Sequence, residues 1–417
     1  MPRFSTARNV ILVAFLKSLP GSLLLSLALC AFAAPISAQV FPLGEGPWVF
    51  DTYSPPSQIR VSVIARGIEH PWGMAFLPDG DVLIAERKGT LRIIRKGDLD
   101  PNPVTGIPEI AFAEWGGLMD VVLHPQFDQN RYVYFTYTKS GEAPEGQDYW
   151  TTTALGRGRL NAERTALNDV EELLVTNGWS DVVGGHGSRL RFAPDGKLFM
   201  SSPFRRHPEA PQDPMSHIGK LLRLNDDGTP ASDNPYIGND AYQPEIWSMG
   251  HRAIEGMDFH PETGELWAAE HGPQGGDEVN IVQPTYNYGW PLVSFGRDYS
   301  GRPAAALEKP YAEGMVQPLL VWVPSIAPSG LMFYTGEYFP RWRNDLIVGG
   351  LMTGRIPGTG HLERVSFNVF GEIKRERLLE GLKQRIRDVQ MGPDGHIYVL
   401  TEEVDGALLV IEPVALP

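Results

Sequence analysis

Cysteine is almost missing from this chain: 417 residues contain one, Cys30. That cysteine sits inside a leader-like stretch. Arg3 and Arg8 supply a positive start, Val10 to Ala34 is mostly apolar, and Ala38-Gln39 offers a small-residue cleavage point. Residues 1–38 therefore read as an export signal, residues 39–417 as one domain, and the protein as periplasmic or secreted. Lys17 and Pro20 interrupt the apolar run, so a retained membrane anchor is the alternative. The bulky Leu29 just before Cys30 argues against a lipoprotein site. A mature chain without thiols excludes disulfides, cysteine–metal sites and thiol nucleophiles.

Positive charge is also scarce. Lys and Arg number 36 against 50 Asp and Glu, for a formal net charge of −14. Loss of the leader removes Arg3, Arg8 and Lys17 and no acid, which brings the charge to −17. Such acidity disfavours nucleic acid and anionic lipid as partners. No later hydrophobic run approaches the ~20 residues of a membrane span, so no stable membrane insertion is expected after signal removal. Several motif classes are absent as well: His-Glu-x-x-His, Gly-x-Ser-x-Gly, a phosphate-binding Gly-Lys-Ser/Thr, and a Gly-x-Gly-x-x-Gly that opens a helix.

Glycine and proline are abundant instead, at 45 and 36 residues, and scattered without period. That excludes collagen and argues against long helices, since each costs ~1–3 kcal/mol inside one. Short strands joined by tight turns fit better. A turn-then-strand unit recurs: Pro78-Asp79-Gly80 before Val82-Leu83-Ile84, Pro194-Asp195-Gly196 before Leu198-Phe199-Met200, and Pro393-Asp394-Gly395 before Ile397-Tyr398-Val399. Looser copies begin at His124-Pro125, His260-Pro261 and Phe339-Pro340. The spacing of about 63 residues suits four strands per unit and about six units. The expected fold is all-β: a six-bladed β-propeller of four-stranded antiparallel sheets with little helix. Two β-sandwiches are the alternative. Function should lie in the loops between repeats rather than in the Pro-Asp-Gly turns.

Four loop clusters could carry chemistry. Gly184-Gly185-His186-Gly187 leaves an imidazole open to a ligand, so His186 is a candidate general base; a structural His in a Gly-rich turn is the alternative. Gly250-His251-Arg252 offers a fixed cation for a carboxylate or oxyanion, or merely an inter-blade salt bridge. Glu270 to Glu278 contains Gly272-Pro273, whose carbonyls together with nearby carboxylates suit Ca²⁺ without matching an EF-hand; an ordinary acidic loop is the alternative. Strand alternation at Arg385 and Arg387 puts both on one face, a receptor for a polyanionic small molecule or a pair of partners for nearby acids.

Together these segments resemble the soluble pyrroloquinoline-quinone (PQQ)-dependent glucose/aldose sugar dehydrogenase family. The likeness runs from His70-Pro71-Trp72-Gly73 to Thr401. It includes Glu86-Arg87-x-Gly89-x-Leu91-Arg92, Gly116-Gly117-Leu118 with His124-Pro125, Gly272-Pro273 through Glu278 to Trp290-Pro291, Ala327-Pro328-Ser329-Gly330, and Arg385-x-Arg387-Asp388. The resemblance independently implies a six-bladed propeller. It also implies that His186 removes the proton of a sugar's anomeric hydroxyl while hydride passes to the quinone, giving a lactone. Arg252 would steady the reduced-quinone oxygen, and Arg385 and Arg387 would bind the cofactor. Carbonyls of Gly272 and Pro273 would hold the polarising Ca²⁺, and Glu278 and Tyr288 a second, structural one. The implied partners are a small aldose sugar and an electron acceptor that the sequence does not identify.

The chain departs from the family at Ala253, where Asn is frequent, and at Trp115, where Gln is frequent. Gly185 stands where some members carry an acid beside the base, and Met352 where glucose-oxidising members carry a Lys. These changes keep open a binding propeller that has lost its cofactor; a calcium-dependent lactonase, another kind of six-bladed propeller, is a further alternative.

Overall fold

The computed structural model describes residues 41–112, 115–182 and 184–414. The expected export signal over 1–38, and with it Cys30, lies outside the described residues. Six antiparallel sheets follow one another along the chain. Blade one begins with Pro71–Phe76, blade two with Leu118–Leu123 and blade three with Leu190–Phe192. Blades four, five and six begin with Ile254–Phe259, Pro328–Phe333 and Ile386–Met391. These six first strands surround a common central channel, because all of them line one cavity of about 660 Å³. Among the described residues, helix is limited to Phe127–Asn130 and three short 3-10 turns.

Each repeat turn joins the first strand of a blade to its second. At Pro78-Asp79-Gly80 the Leu77 amide donates to Asp81 O at 2.8 Å and the Gly80 amide to Leu77 O at 2.9 Å. The same pair of bonds recurs at Ala193–Lys197 and Gly392–His396. The residue types follow from the turn. Proline presets its φ, and aspartate accepts an amide two residues on, as Asp195 Oδ1 does from Lys197 N at 2.9 Å. Glycine takes the positive φ, +93° at Gly80.

Five sheets have four strands. The sixth has five, because the ring closes there: Gln58–Ile68, from the start of the described chain, pairs with Gly406–Pro413 at its end, and Trp48–Asp51 adds an outer edge. This closure leaves no unpaired seam between the first and last blades.

Six apolar clusters fill the six blade interfaces. Between blades one and two, Leu83 and Ile93 meet Leu118 and Phe135. Between five and six, Met332 and Ile347 meet Val389 and Val399. Each such fully buried Leu, Ile or Phe contributes ~1.5–3 kcal/mol relative to exposure. At the third position of five first strands stand Gly73, Asp120, Gly256, Gly330 and Asp388, and Arg189 directly precedes the first strand of blade three. Arg189 Nη1 lies 3.3 Å from both Asp120 Oδ1 and Asp388 Oδ1, all three deeply buried. A methyl group at Gly73 would stand 2.5 Å from Asp120 Oδ1, and one at Gly330 2.3 Å from Asp388 Oδ1. Small residues on three blades thus make room for an ion-paired waist supplied by the other three.

Candidate functional site

The chain direction decides where the chemistry gathers. First strands run from one end of the channel to the repeat turns, and second strands run back. Residues that precede a first strand (His186, Arg252, Arg385) and those that follow a second strand (Arg87, Arg205, His271, Gly272, Glu402) therefore share the end opposite the turns. The cavity of about 660 Å³ lies on the turn side of the waist, so it is separate from this end.

His186 is almost fully buried. Its Nδ1 lies 3.3 Å from Thr138 Oγ1 and its Nε2 3.3 Å from the Tyr149 hydroxyl. Thr138 Oγ1 in turn accepts the Gly117 amide at 3.0 Å. Two hydroxyls thus flank the ring at a site where Gly185 supplies no carboxylate. Glycine is needed for packing here: a methyl at Gly116 would stand 2.8 Å from His186 Cδ2, and one at Gly187 2.2 Å from Glu255 Oε1. Burial, reinforced by the Arg205 charge, holds the imidazole well below its ordinary pKa. It is therefore neutral, as a base must be.

Arg252 is fixed without an ion pair among the described residues. Its amide donates to Glu270 Oε2 at 2.7 Å and its Nη1 to His271 O at 2.9 Å. Its guanidinium lies 5.1 Å from the Phe204 ring centroid and 5.4 Å from that of Trp290. The buried Nε has no hydrogen-bond partner among the described residues. Neighbouring His271, whose Nε2 is 2.6 Å from Pro328 O, is pushed down to about 3 by burial and then by Arg252.

Arg385 and Arg387 do share a face, and they reach the same oxygen: Glu402 Oε2, at 2.9 and 2.6 Å. Arg87 stands 3.6 Å from Glu402 Oε1. Arg387 is 2% exposed, stacks 4.2 Å over Trp72, and meets Glu255 at 3.5 Å. Burial alone would raise Glu402, but Arg387, Arg385 and Arg87 hold it well below the carboxylate range. Burial pushes Glu255 up to about 7 against Arg387 and Arg189. Three guanidiniums thus face one firmly ionised carboxylate and one that is readily neutralised, a cationic surplus in an acidic protein.

The Gly272-Pro273 turn is held from below. Asp277, buried, accepts Gly272 N at 2.8 Å, Ile326 N at 2.7 Å, Ala327 N at 2.9 Å and the Ser325 hydroxyl. Burial still raises its pKa to about 6. Among the described residues no donor reaches the carbonyl oxygens of Gly272 or Pro273. A methyl at Gly272 would stand 2.2 Å from Gly275 O, so only glycine fits the turn. No group of three or more His, Cys, Asp or Glu side chains gathers as a metal cage among the described residues; a cation at this turn would meet chiefly main-chain oxygen.

Glu278 lies across the strand pair from Glu270. Burial, and then Glu270, push its pKa well above the ordinary value. The Tyr288 hydroxyl is occupied, donating to Ile281 O at 2.7 Å and accepting Gln283 N at 2.9 Å. If Tyr288 serves a cation, it is through its carbonyl.

The structure thus brings His186, Arg252, Gly272, Pro273, Arg385 and Arg387 to one end of the channel, with Glu278 and Tyr288 behind Arg252 through Glu270 and His251. Of the departures, Trp115 is 47% exposed, Ala253 O accepts the His271 amide at 2.9 Å, and the Met352 amide donates to Ile326 O at 3.1 Å. Sequence reasoning missed Glu402, Glu255, Thr138, Tyr149 and Arg205. Arg87 stood inside a quoted motif, and Glu402 directly follows Thr401, where the resemblance ends; position within those segments is the signal that could have found them.

Residues 68–410 match the family model described as Glucose / Sorbosone dehydrogenase. Aldose sugar dehydrogenase YliI of Escherichia coli is 37% identical over 364 residues, covering 87% of this chain and 95% of the relative. The apo crystal structure of the soluble aldose sugar dehydrogenase from Escherichia coli superposes with a TM-score of 0.79 at 38% identity, covering 85% of this chain and all of that one. Quinoprotein glucose dehydrogenase B of Acinetobacter calcoaceticus is 26% identical over 422 residues, covering 82% of this chain and 84% of the relative. With a family model matched over most of its length and six blades in its fold, the chain belongs to the glucose/sorbosone dehydrogenase family.

Proposed function

We propose that this protein is an exported quinoprotein dehydrogenase that oxidises the anomeric carbon of aldose sugars to lactones. The observation that carries the reading is the meeting of a buried, neutral His186 with a cationic surplus and two undonated carbonyls at one end of the channel. PQQ is a polycarboxylate, and the residues fit it: Arg385 and Arg387 would take carboxylates, and the orphaned Nε atoms of Arg252 and Arg387 are donors awaiting acceptors. The Gly272 and Pro273 carbonyls are hard oxygen donors suited to Ca²⁺. The adjacency of Glu278 and Glu270 suits a second Ca²⁺ held with the Tyr288 carbonyl.

When bound, PQQ polarised by Ca²⁺ supplies the two-electron acceptor for hydride. His186 Nε2, where the Tyr149 hydroxyl now sits, would receive the proton of the C1 hydroxyl. The C1–H bond breaks with its electron pair leaving as hydride, and C1 becomes the lactone carbonyl. Arg252 places a fixed positive charge where negative charge grows, and the Phe204 and Trp290 rings flank its guanidinium. Trp72 and Glu402 keep Arg387 and Arg385 in register before any ligand arrives.

The test is reconstitution of the purified protein with PQQ and Ca²⁺, followed by absorbance during titration with a panel of aldoses. Sugar-dependent bleaching and dye reduction are expected, and His186→Asn should lower turnover by about 10²–10⁴ while PQQ still binds. No cofactor spectrum and no turnover would end this reading. Lactone hydrolysis without PQQ would favour the lactonase instead.

A further inference from the structure

A general base on a glycine-rich loop needs something to hold it, and the usual carboxylate is absent here. A charged group that acts on the imidazole is Arg205, which follows the second strand of blade three and is 1% exposed. Its Nη1 donates to Gly184 O at 3.2 Å. Its Nη2 donates to Val182 O at 3.1 Å, to Thr151 O at 3.3 Å and to Thr151 Oγ1 at 2.8 Å. One planar fork therefore ties the loop that carries His186 to the third strand of blade two. Lys could not reproduce that geometry.

A buried guanidinium normally faces a carboxylate. Among the described residues Arg205 pairs with none, and burial lowers its pKa to about 10. A cation kept at such cost, against the base loop and with φ of +50° at its own Cα, calls for a functional explanation. The other groups facing His186 are the Tyr149 and Thr138 hydroxyls. Arg206 runs alongside Gly185, and Glu255 packs behind Gly187.

We propose that Arg205 is the positioning residue of the base: its buried fork holds the Val182 and Gly184 carbonyls to Thr151 and sets a fixed positive charge behind the loop that carries His186. This rests on the reading of His186 as the base. Where a carboxylate partner would orient a base and raise its basicity, Arg205 orients the base loop and lowers the basicity of the ring. The enzyme would then keep a competent base at pH values where an ordinary histidine is protonated.

The experiment is a histidine NMR titration of the full chain with PQQ and Ca²⁺, with His186 assigned through His186→Asn, beside the pH profile of kcat/KM. In the wild type, His186 should titrate clearly below 6.5. In Arg205→Met it should move up by about one pH unit or more, and the acid limb of kcat/KM should follow. Arg205→Lys keeps the charge and loses the fork, so the His186 titration should stay low while turnover falls about tenfold or more. A wild-type His186 titrating at 6.5 or above, or no movement in folded Arg205→Met, overturns the proposal. If Arg205→Met does not fold, the wild type and Arg205→Lys decide it. If the titration moves and the acid limb does not, Arg205 keeps its role and His186 loses the part of base.

Discussion

Glycine is common at both ends of the channel, for two different reasons. At the turn end Gly80, Gly196 and Gly264 have positive φ, and a methyl added to any of them would meet nothing within 4 Å. At the site end a methyl at Gly116, Gly187 or Gly272 would run into His186, Glu255 or Gly275. The first group serves local turn geometry, and the second lets functional groups approach one another. Arginines divide in the same way. Arg191, on the turn side, is 42% exposed at its side chain and pairs with Asp258, whereas Arg387 is buried among Trp72, Glu255 and Glu402. The waist of Arg189, Asp120 and Asp388 separates the two regimes.

The largest effect should come from breaking that waist. Arg189→Met leaves Asp120 and Asp388 facing each other in the channel wall and should cost about 3–5 kcal/mol by denaturant unfolding. Arg191→Met, a single turn-side pair, should cost less than about 1 kcal/mol. Equal losses would erase the distinction between the two regions.

A pH test sharpens it next. The fold holds the Glu255 proton up to about 7, whereas the unfolded chain releases it near 4.5. Between those values the folded chain binds more protons, so this group's contribution to stability falls as pH rises, by about 3 kcal/mol across the window. Glu255→Gln should lose less stability than the wild type between pH 4.5 and 8. Parallel stability curves would show that the carboxylate is not held in this way.

Gly187→Ala should displace the His186 loop and cut turnover about a hundredfold with little change in the circular dichroism spectrum. Wild-type turnover from it would mean that the close packing against Glu255 is incidental. The smallest effect belongs to the turn end: Gly80→Ala should cost about 1 kcal/mol in unfolding free energy, from positive φ alone, and leave kcat unchanged. A change in kcat would couple the turns to the chemistry.

Much of the architecture was legible because it is local. Pro-Asp-Gly carries its own turn chemistry, and each of the six copies joins a first strand to a second. That Arg385 and Arg387 share a face was legible from strand alternation, and of the two uses weighed for them the structure shows the pairing with a nearby acid, Glu402. What escaped were partners distant in sequence. Thr138 and Tyr149 lie 48 and 37 residues before His186, and Glu255 lies 132 residues from Arg387. No periodicity or motif connects such pairs. The closing strand of the last blade, Gln58–Ile68, was missed for the same reason, since it pairs with Gly406–Pro413 at the opposite end of the chain.

By itself, the order of residues determined the number of blades, the direction of each first strand and the end of the channel at which loops could carry chemistry. Turn propensity and strand alternation act over a few residues, so they can be read directly. Only the tertiary structure decided that His186 is flanked by hydroxyls instead of a carboxylate, that Arg205 grips its loop, and that Glu402 gathers three arginines. Those contacts exist because the ring closes through Gln58–Ile68 and Gly406–Pro413, which brings distant loops around one axis and removes water from between them.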